Sequence, residues 1–246
     1  MSVVNSRREL PTLAEDLAMT RAATRARRVG IFGGTFDPVH LGHLILAEQC
    51  REQGHLDEVW FVPAGNNPFK SDRFRTFDQR AELVELAIAG HAAFKVNRVE
   101  KEMLEEFRRQ HPAEPLPASY TYQTLAELHR RDPADELFLL IGSDSLEELP
   151  QWREPQQIAR NAGLLVMLRA GHAPLSAEQI RTSLALPAEV ALRIEYVASP
   201  PLIDIASRDL RRRVREGRSI RYLVPRAVEV YIKEKRLYAS ESASPS

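Results

Sequence analysis

Two histidines three positions apart, His40 and His43, stand where an apolar run ends and a helical pattern begins. They close the segment Gly33-Gly34-Thr35-Phe36-Asp37-Pro38-Val39-His40-Leu41-Gly42-His43. The first turn of a helix leaves backbone N–H groups unpaired and carries a partial positive charge, so it attracts anions. Residues three apart share one helix face. The spacing predicts a phosphate site with two imidazoles aimed into it. Gly42, between them, suits close approach of a bulky ligand to the backbone. Taken without their neighbours, the same histidines read as one metal ligand and one helix cap, or as simple packing, and His43 alone reads as structural.

Alternating elements must position this pair. Residues 29–32 read as a buried strand, two glycines turn the chain, and residues 44–49 continue as a helix. Further strands are expected at 59–62 (ending at Pro63), 94–96, 136–142, 163–168 and 194–197. Helices are expected at 77–89, with Leu83, Leu86 and Ala87 buried, at 100–110, at 121–131, as a short one before the strand at 163–168, and from Ser207 onward, broken at Gly217. This alternation predicts an α/β fold, a doubly wound parallel sheet with helices on both faces. Ligands in such folds bind beyond the carboxyl ends of the strands, near the point where strand order reverses. The proline-rich stretch 111–117 reads as an exposed insertion. The expected division is a flexible arm over 1–27, one domain over 28–238 and a disordered Ser-rich tail over 239–246.

Composition narrows the classes. The chain has 246 residues, 43% of them hydrophobic, enough for a sizeable core. Lys plus Arg and Asp plus Glu balance at 34 each, so no global field favours nucleic acid or an anionic membrane, and neither is expected as a partner. The basic run Arg25-Ala26-Arg27-Arg28 reads as a solvated one. No apolar run approaches the roughly 18 residues of a membrane helix. The arginines near the start lack the apolar stretch of a secretory signal. A single cysteine, Cys50, excludes an internal disulfide, and no Cys/His group has zinc spacing. A cytoplasmic protein is expected. The oligomeric state stays open, a homo-oligomer included.

Neither a dinucleotide fingerprint nor a P-loop follows Gly33-Gly34. The segment instead resembles the HxGH nucleotidyltransferase superfamily, with His40-Leu41-Gly42-His43 as the signature in its extended eleven-residue form. Residues 63–70, 119–125, 142–152, 204–211 and 221–225 are similar, in order and rough spacing, to segments of bacterial nicotinate-nucleotide adenylyltransferases. The resemblance spans about 28–238. It implies a Rossmann-like nucleotidyltransferase fold with a small helical carboxyl-terminal part. It also implies transfer of the adenylyl group of ATP to the phosphate of nicotinate mononucleotide, with release of pyrophosphate, in NAD biosynthesis.

In that reaction the nucleophile is already an anion, so no strong base is needed. The task is to hold two polyanions in line and absorb charge on the reacting oxygens. His40, His43, Lys70 and Arg211 suit it as catalytic donors, and cationic donors give short charge-assisted bonds. The resemblance assigns ATP binding to Gly33, Gly34, Thr35, Phe36, His40, His43, Ser207, Arg208 and Arg211. Mg2+ would arrive with ATP, held by phosphate oxygens and water, so no acidic metal cage is expected. On the pyridine-nucleotide side the resemblance implies a ribose contact by Asp144, ring stacking by Trp152 and a substrate contact by Thr121. From the residues alone, other readings stand beside these: a solvated loop lysine at 70, a core tryptophan at 152, and helix caps at Asp144, Thr121 and Ser207.

Three positions depart from the family pattern. Phe69 stands where a histidine is usual, Ala206 where a serine is, and Arg208 where a threonine is. These weigh on the ATP contacts more than on the reaction class. The rival readings are a sister HxGH adenylyl- or cytidylyltransferase with another phosphate acceptor, and a catalytically silent nucleotide-binding protein. The 119–125 and 142–152 segments disfavour the sister enzymes. Nicotinate and nicotinamide mononucleotide are not separated at this level, because backbone N–H groups can capture a carboxylate.

Overall fold

In the computed structural model, which describes residues 25–66, 75–168, 173–198 and 204–239, the apolar runs become strands. They are β1 (Arg28–Gly34), β2 (Glu58–Pro63), β3 (Phe94–Val96), β4 (Glu136–Gly142), β5 (Gly163–Met167) and β6 (Ile194–Val197). All pair in parallel, in the order β3-β2-β1-β4-β5-β6. Lys70 and Phe69, residues 1–24 of the arm and residues 240–246 of the tail lie outside the described residues.

The helices are α1 (Leu41–Gln53), α2 (Phe77–Ile88), α3 (Val99–Gln110), α4 (Thr121–Arg131), α5 (Ser143–Glu148), α6 (Pro155–Asn161), α7 (Ala177–Ser183), α8 (Ser207–Arg215) and α9 (Arg226–Glu234). A 3-10 turn, Leu149–Gln151, separates α5 from α6. Most expected elements appear within two residues of their forecast ends, while α1 begins three residues before and ends four beyond the expected 44–49. Among the described residues, α7 was not foreseen, because its polar sequence presents one buried side chain, Ile180. On α2 the fully buried positions are Arg80, Ala81, Leu83, Val84 and Ile88, while the expected Leu86 and Ala87 are only partly buried.

Strand periodicity divides the core in two, because successive side chains point to opposite faces. One face carries Phe32, Val59, Phe61, Phe138, Leu140 and Leu165, packed with apolar residues of α1, α2, α8 and α9. The other carries Val29, Ile31, Trp60, Val62, Leu139 and Val166, packed with α3 through α7. Burying one Leu- or Phe-sized side chain contributes about 1.5–3 kcal/mol, so both layers hold the sheet firmly. Neighbours β1 and β4 are far apart in sequence, and the chain leaves them in opposite directions across the sheet. The crevice beyond their carboxyl ends is the switch point where doubly wound sheets bind ligands. The loops that open there are Thr35–His40 after β1 and the turn from Gly142 into α5.

Candidate active site

β1 runs into Gly33 and Gly34 with no intervening loop. Gly33 is exposed, and a Cβ built on it would meet nothing within 4 Å. On Gly34 the same atom would stand 2.8 Å from the Phe36 ring, so that position must stay small. Phe36 has φ 51°, in the left-handed region uncommon for a bulky residue. Its ring is buried between Phe32 and Phe61, with centroids at 5.7 and 5.6 Å, and it meets the His43 ring edge-on at 5.2 Å. The expected Phe36 contact with ATP is therefore open only to its backbone, since the ring is core.

His40 is the N-cap of α1 and His43 occupies its first turn. Their rings stack at 3.7 Å with 29° between planes. The His40 backbone N–H donates to His43 Nδ1 at 3.2 Å. An accepting Nδ1 leaves the proton of neutral His43 on Nε2, a donor for an anion. His40 is 6% exposed, and among the described residues its Nδ1 has no hydrogen-bond partner. Burial lowers the His40 pKa to about 4. Burial, and then the neighbouring His40, lower that of His43 to about 3. Both imidazoles are thus neutral in the unliganded protein, because desolvation disfavours the charged ring. The helix start is also less open than expected, for Leu41 N–H donates to the Leu223 carbonyl at 3.0 Å.

The carboxyl-terminal segment closes on this loop. Arg211 donates from Nη1 to the Asp37 carbonyl at 2.6 Å and lies 4.0 Å from the Asp37 carboxylate. Ser207 donates its hydroxyl to the Pro38 carbonyl at 2.9 Å. Ser207 is the first residue of α8, whose N-cap is Ala206, so the expected cap at Ser207 is instead a tether. Arg208 is exposed on the same helix. Thus Ser207 and Arg211, from late in the chain, are tied to the loop that leads into His40 and His43.

The remaining predicted residues sit across the β4 side. Asp144 lies in the first turn of α5, next to buried Ser143, and the N-cap there is Gly142 rather than Asp144. Thr121 opens α4, with Tyr120 as N-cap, so neither residue is the cap that sequence allowed. Trp152 follows the 3-10 turn, half-buried against the second core layer. The Arg153 guanidinium lies 5.0 Å from the Tyr120 ring, joining the segments that carry Thr121 and Trp152. Among the described residues no group of three or more His, Cys, Asp or Glu side chains could hold a metal.

Sequence reasoning passed over Arg80, Glu100 and Tyr238. Arg80 donates to the Thr35, Ala64 and Arg75 carbonyls while 5% exposed. Its signal was legible: a charge at three and four residues before Leu83 and Val84, on the apolar face of a helix. Glu100 and Tyr238 carried no comparable local sign, since their partners are distant in sequence.

This arrangement offers two stacked neutral imidazoles, a guanidinium and an exposed glycine edge at the switch point, a donor set matched to phosphate oxygens. The cytidylyltransferase-like family model matches residues 31–213. A protein of Exiguobacterium sibiricum is 38% identical over 213 residues, covering 87% of this chain and 100% of that protein. One of Thermomicrobium roseum is 41% identical over 218 residues, covering 88% and 94%. Both bear the name "Probable nicotinate-nucleotide adenylyltransferase". Among solved structures, the Plasmodium falciparum nicotinic acid mononucleotide adenylyltransferase complexed with NaAD matches with TM-score 0.65 at 19% identity, covering 86% of this chain and 97% of that one, a likeness of fold. On its extended histidine motif, its sheet order and these full-length relatives, the chain belongs to the nicotinate-nucleotide adenylyltransferase family of cytidylyltransferase-like proteins.

Proposed function

We propose that this protein transfers the adenylyl group of ATP to nicotinate mononucleotide, forming deamido-NAD and pyrophosphate, with residues 28–238 as the catalytic unit and the cytoplasm as its place of action. The observation that carries the reading is the stacked His40–His43 pair at the start of α1, with Ser207 and Arg211 hydrogen-bonded to the Pro38 and Asp37 carbonyls of the loop that leads into it. His40 and His43 bind the triphosphate through ring N–H groups, and Arg211 adds a fixed positive charge. The acceptor phosphate attacks the α-phosphorus in line, the bond to the bridging oxygen breaks, and the electron pair leaves with pyrophosphate. Donors held in place before the reaction stabilise the charge that builds on the transferring group and leaving oxygens. A triphosphate beside the imidazoles also favours their protonation, which strengthens the same hydrogen bonds.

Gly33, Gly34, Thr35 and Phe36 contribute backbone to the ATP side, with Arg208 at its rim. Asp144, Thr121 and Trp152 serve the pyridine nucleotide through a ribose hydrogen bond, a polar contact and ring stacking. Lys70 is assigned to the phosphates from its place in the sequence. The site's donors are nitrogen-rich, which suits a metal that arrives on its nucleotide: Mg2+, a hard cation, would sit on phosphate oxygens and water and neutralise part of the triphosphate charge. Pyrophosphate release from ATP with nicotinate mononucleotide, compared with nicotinamide mononucleotide and with other phosphate acceptors, tests the reading. Turnover with the first substrate and its loss in His43→Ala are expected. Folded protein that binds ATP without turnover would refute it.

A further inference from the structure

Resting on the proposed reaction, we infer that Arg80 and Glu100 are positioning residues that fix the distance between the ATP half-site and the pyridine-nucleotide half-site. Arg80, buried on α2, donates from Nη1 to the Thr35 carbonyl at 2.8 Å and from Nη2 to the Ala64 carbonyl at 2.6 Å. Thr35 belongs to the loop that ends in His40. Ala64 is the first residue beyond β2. Its neighbour Gly65 donates its N–H to Glu100 Oε2 at 2.7 Å, and the Thr124 hydroxyl donates to Glu100 Oε1 at 2.9 Å. Thr124 lies one turn into α4, the helix that opens with Thr121. Four hydrogen bonds therefore run without a break from Thr35 through Arg80, Ala64, Gly65 and Glu100 to Thr124.

The relay is built to be stiff. Arg80 spends its fork on three backbone carbonyls, the third being Arg75 at 3.1 Å, a geometry that one ammonium group cannot reproduce. Glu100 turns its carboxylate inward, where burial pushes its pKa up while Gly65, Thr124 and Ser119 donate to it. Ser119 also accepts from Asn66 N–H at 3.0 Å, and the Asn66 side chain donates to the Leu116 and Pro117 carbonyls at 3.0 Å. The proline-rich stretch, exposed as expected except for half-buried Leu116, is sewn at its end to the same loop. Burying two charges is costly, and each attracts the other here. A purely apolar packing would hold the helices as well, but only directed bonds set loop against loop. In-line transfer depends on that setting, for a 1 Å misplacement can cost about 100-fold in rate.

The test measures kcat alongside separate affinities for ATP and for nicotinate mononucleotide in Arg80→Lys, Glu100→Gln and the milder Thr124→Val. The relay predicts kcat at least about tenfold lower per folded molecule, with each substrate alone bound within about threefold of the unsubstituted protein. Affinities that fall while kcat holds would mean ordinary support of the sites and overturn the inference. So would unchanged kcat in all three variants beside an active parent. No turnover in the unsubstituted protein would strike the assigned reaction and the relay together.

Discussion

The Tyr238 hydroxyl donates to Asp37 Oδ1 at 2.6 Å, across 201 positions of sequence. Tyr238 is 5% exposed and Asp37 1%, so the bond lies inside the protein, directly beneath the loop that leads to His40. Asp37 Oδ2 has no hydrogen-bond partner among the described residues. Arg75 lies 5.2 Å from the Tyr238 ring. Burial, reinforced by the Asp37 charge, raises the Tyr238 pKa, so the phenol remains a donor. The far end of the chain thus fastens the loop that presents the histidines.

Tyr238→Phe should remove that donor and leave a buried carboxylate short of both its bonds. The expected cost is about 1–3 kcal/mol of stability, the desolvation of an unsatisfied group. Chemical denaturation reads it as a lower midpoint at constant slope. An unchanged midpoint would show that the carboxylate draws nothing from the tyrosine.

Both histidines should make the unliganded protein sensitive to mild acid. Their folded pKa values, about 4 and about 3, lie below the ordinary 6.5, so the unfolded chain binds more protons in between. Their contribution is complete above pH 6.5 and is lost as pH falls from there toward 3–4, by about 1.4 kcal/mol per pH unit for each proton. Replacing both by Gln should flatten this part of the stability profile. Nuclear magnetic resonance should show both rings titrating higher once ATP is bound, because the triphosphate favours the imidazolium.

Gly33→Ala should separate binding from folding. No atom waits within 4 Å of the new methyl, and Gly33 is not in the left-handed region. The melting temperature should hold within about 2 °C, since a surface change away from packing alters stability by about 0.5 kcal/mol or less. If the triphosphate lies along this edge, KM for ATP should rise about tenfold. Gly34→Ala, driven against the Phe36 ring at 2.8 Å, should destabilise the fold itself.

Trp152→Ala should weaken the pyridine nucleotide selectively. Stacking of a base on an aromatic ring contributes about 1–3 kcal/mol, or about 5- to 150-fold in affinity. The expected result is a higher KM for the mononucleotide with KM for ATP unchanged, and recovery in Trp152→Phe. Equal effects on both substrates would make Trp152 a packing residue of the second core layer.

Much of this protein was written locally. The strands at β1, β2 and β4 were visible as apolar runs because each is buried on both faces, which demands continuous hydrophobicity. The eleven residues from Gly33 to His43 announced a strand end, a turn and a helix start in one stretch. The charge state of the histidines was not written there. It follows from desolvation by Phe36 and the surrounding layers, a property of the assembled volume rather than of the motif.

The helix caps show the same boundary. Ser207, Thr121 and Asp144 each had a residue type suited to capping, yet each lies inside its helix, with Ala206, Tyr120 and Gly142 before it. Tertiary contact decided otherwise for Ser207, whose hydroxyl reaches the Pro38 carbonyl in the loop after β1. By itself, then, the sequence determined most of the order of elements, the sheet class and the place of the paired histidines at a helix start, since periodicity and turn chemistry act over a few positions. Only the tertiary structure decided which distant groups lock them: Arg80 on Thr35 and Ala64, Glu100 on Gly65 and Thr124, Tyr238 on Asp37. Such bonds join residues that no local pattern relates. They form only because a buried polar group must find a partner wherever the fold brings one within reach.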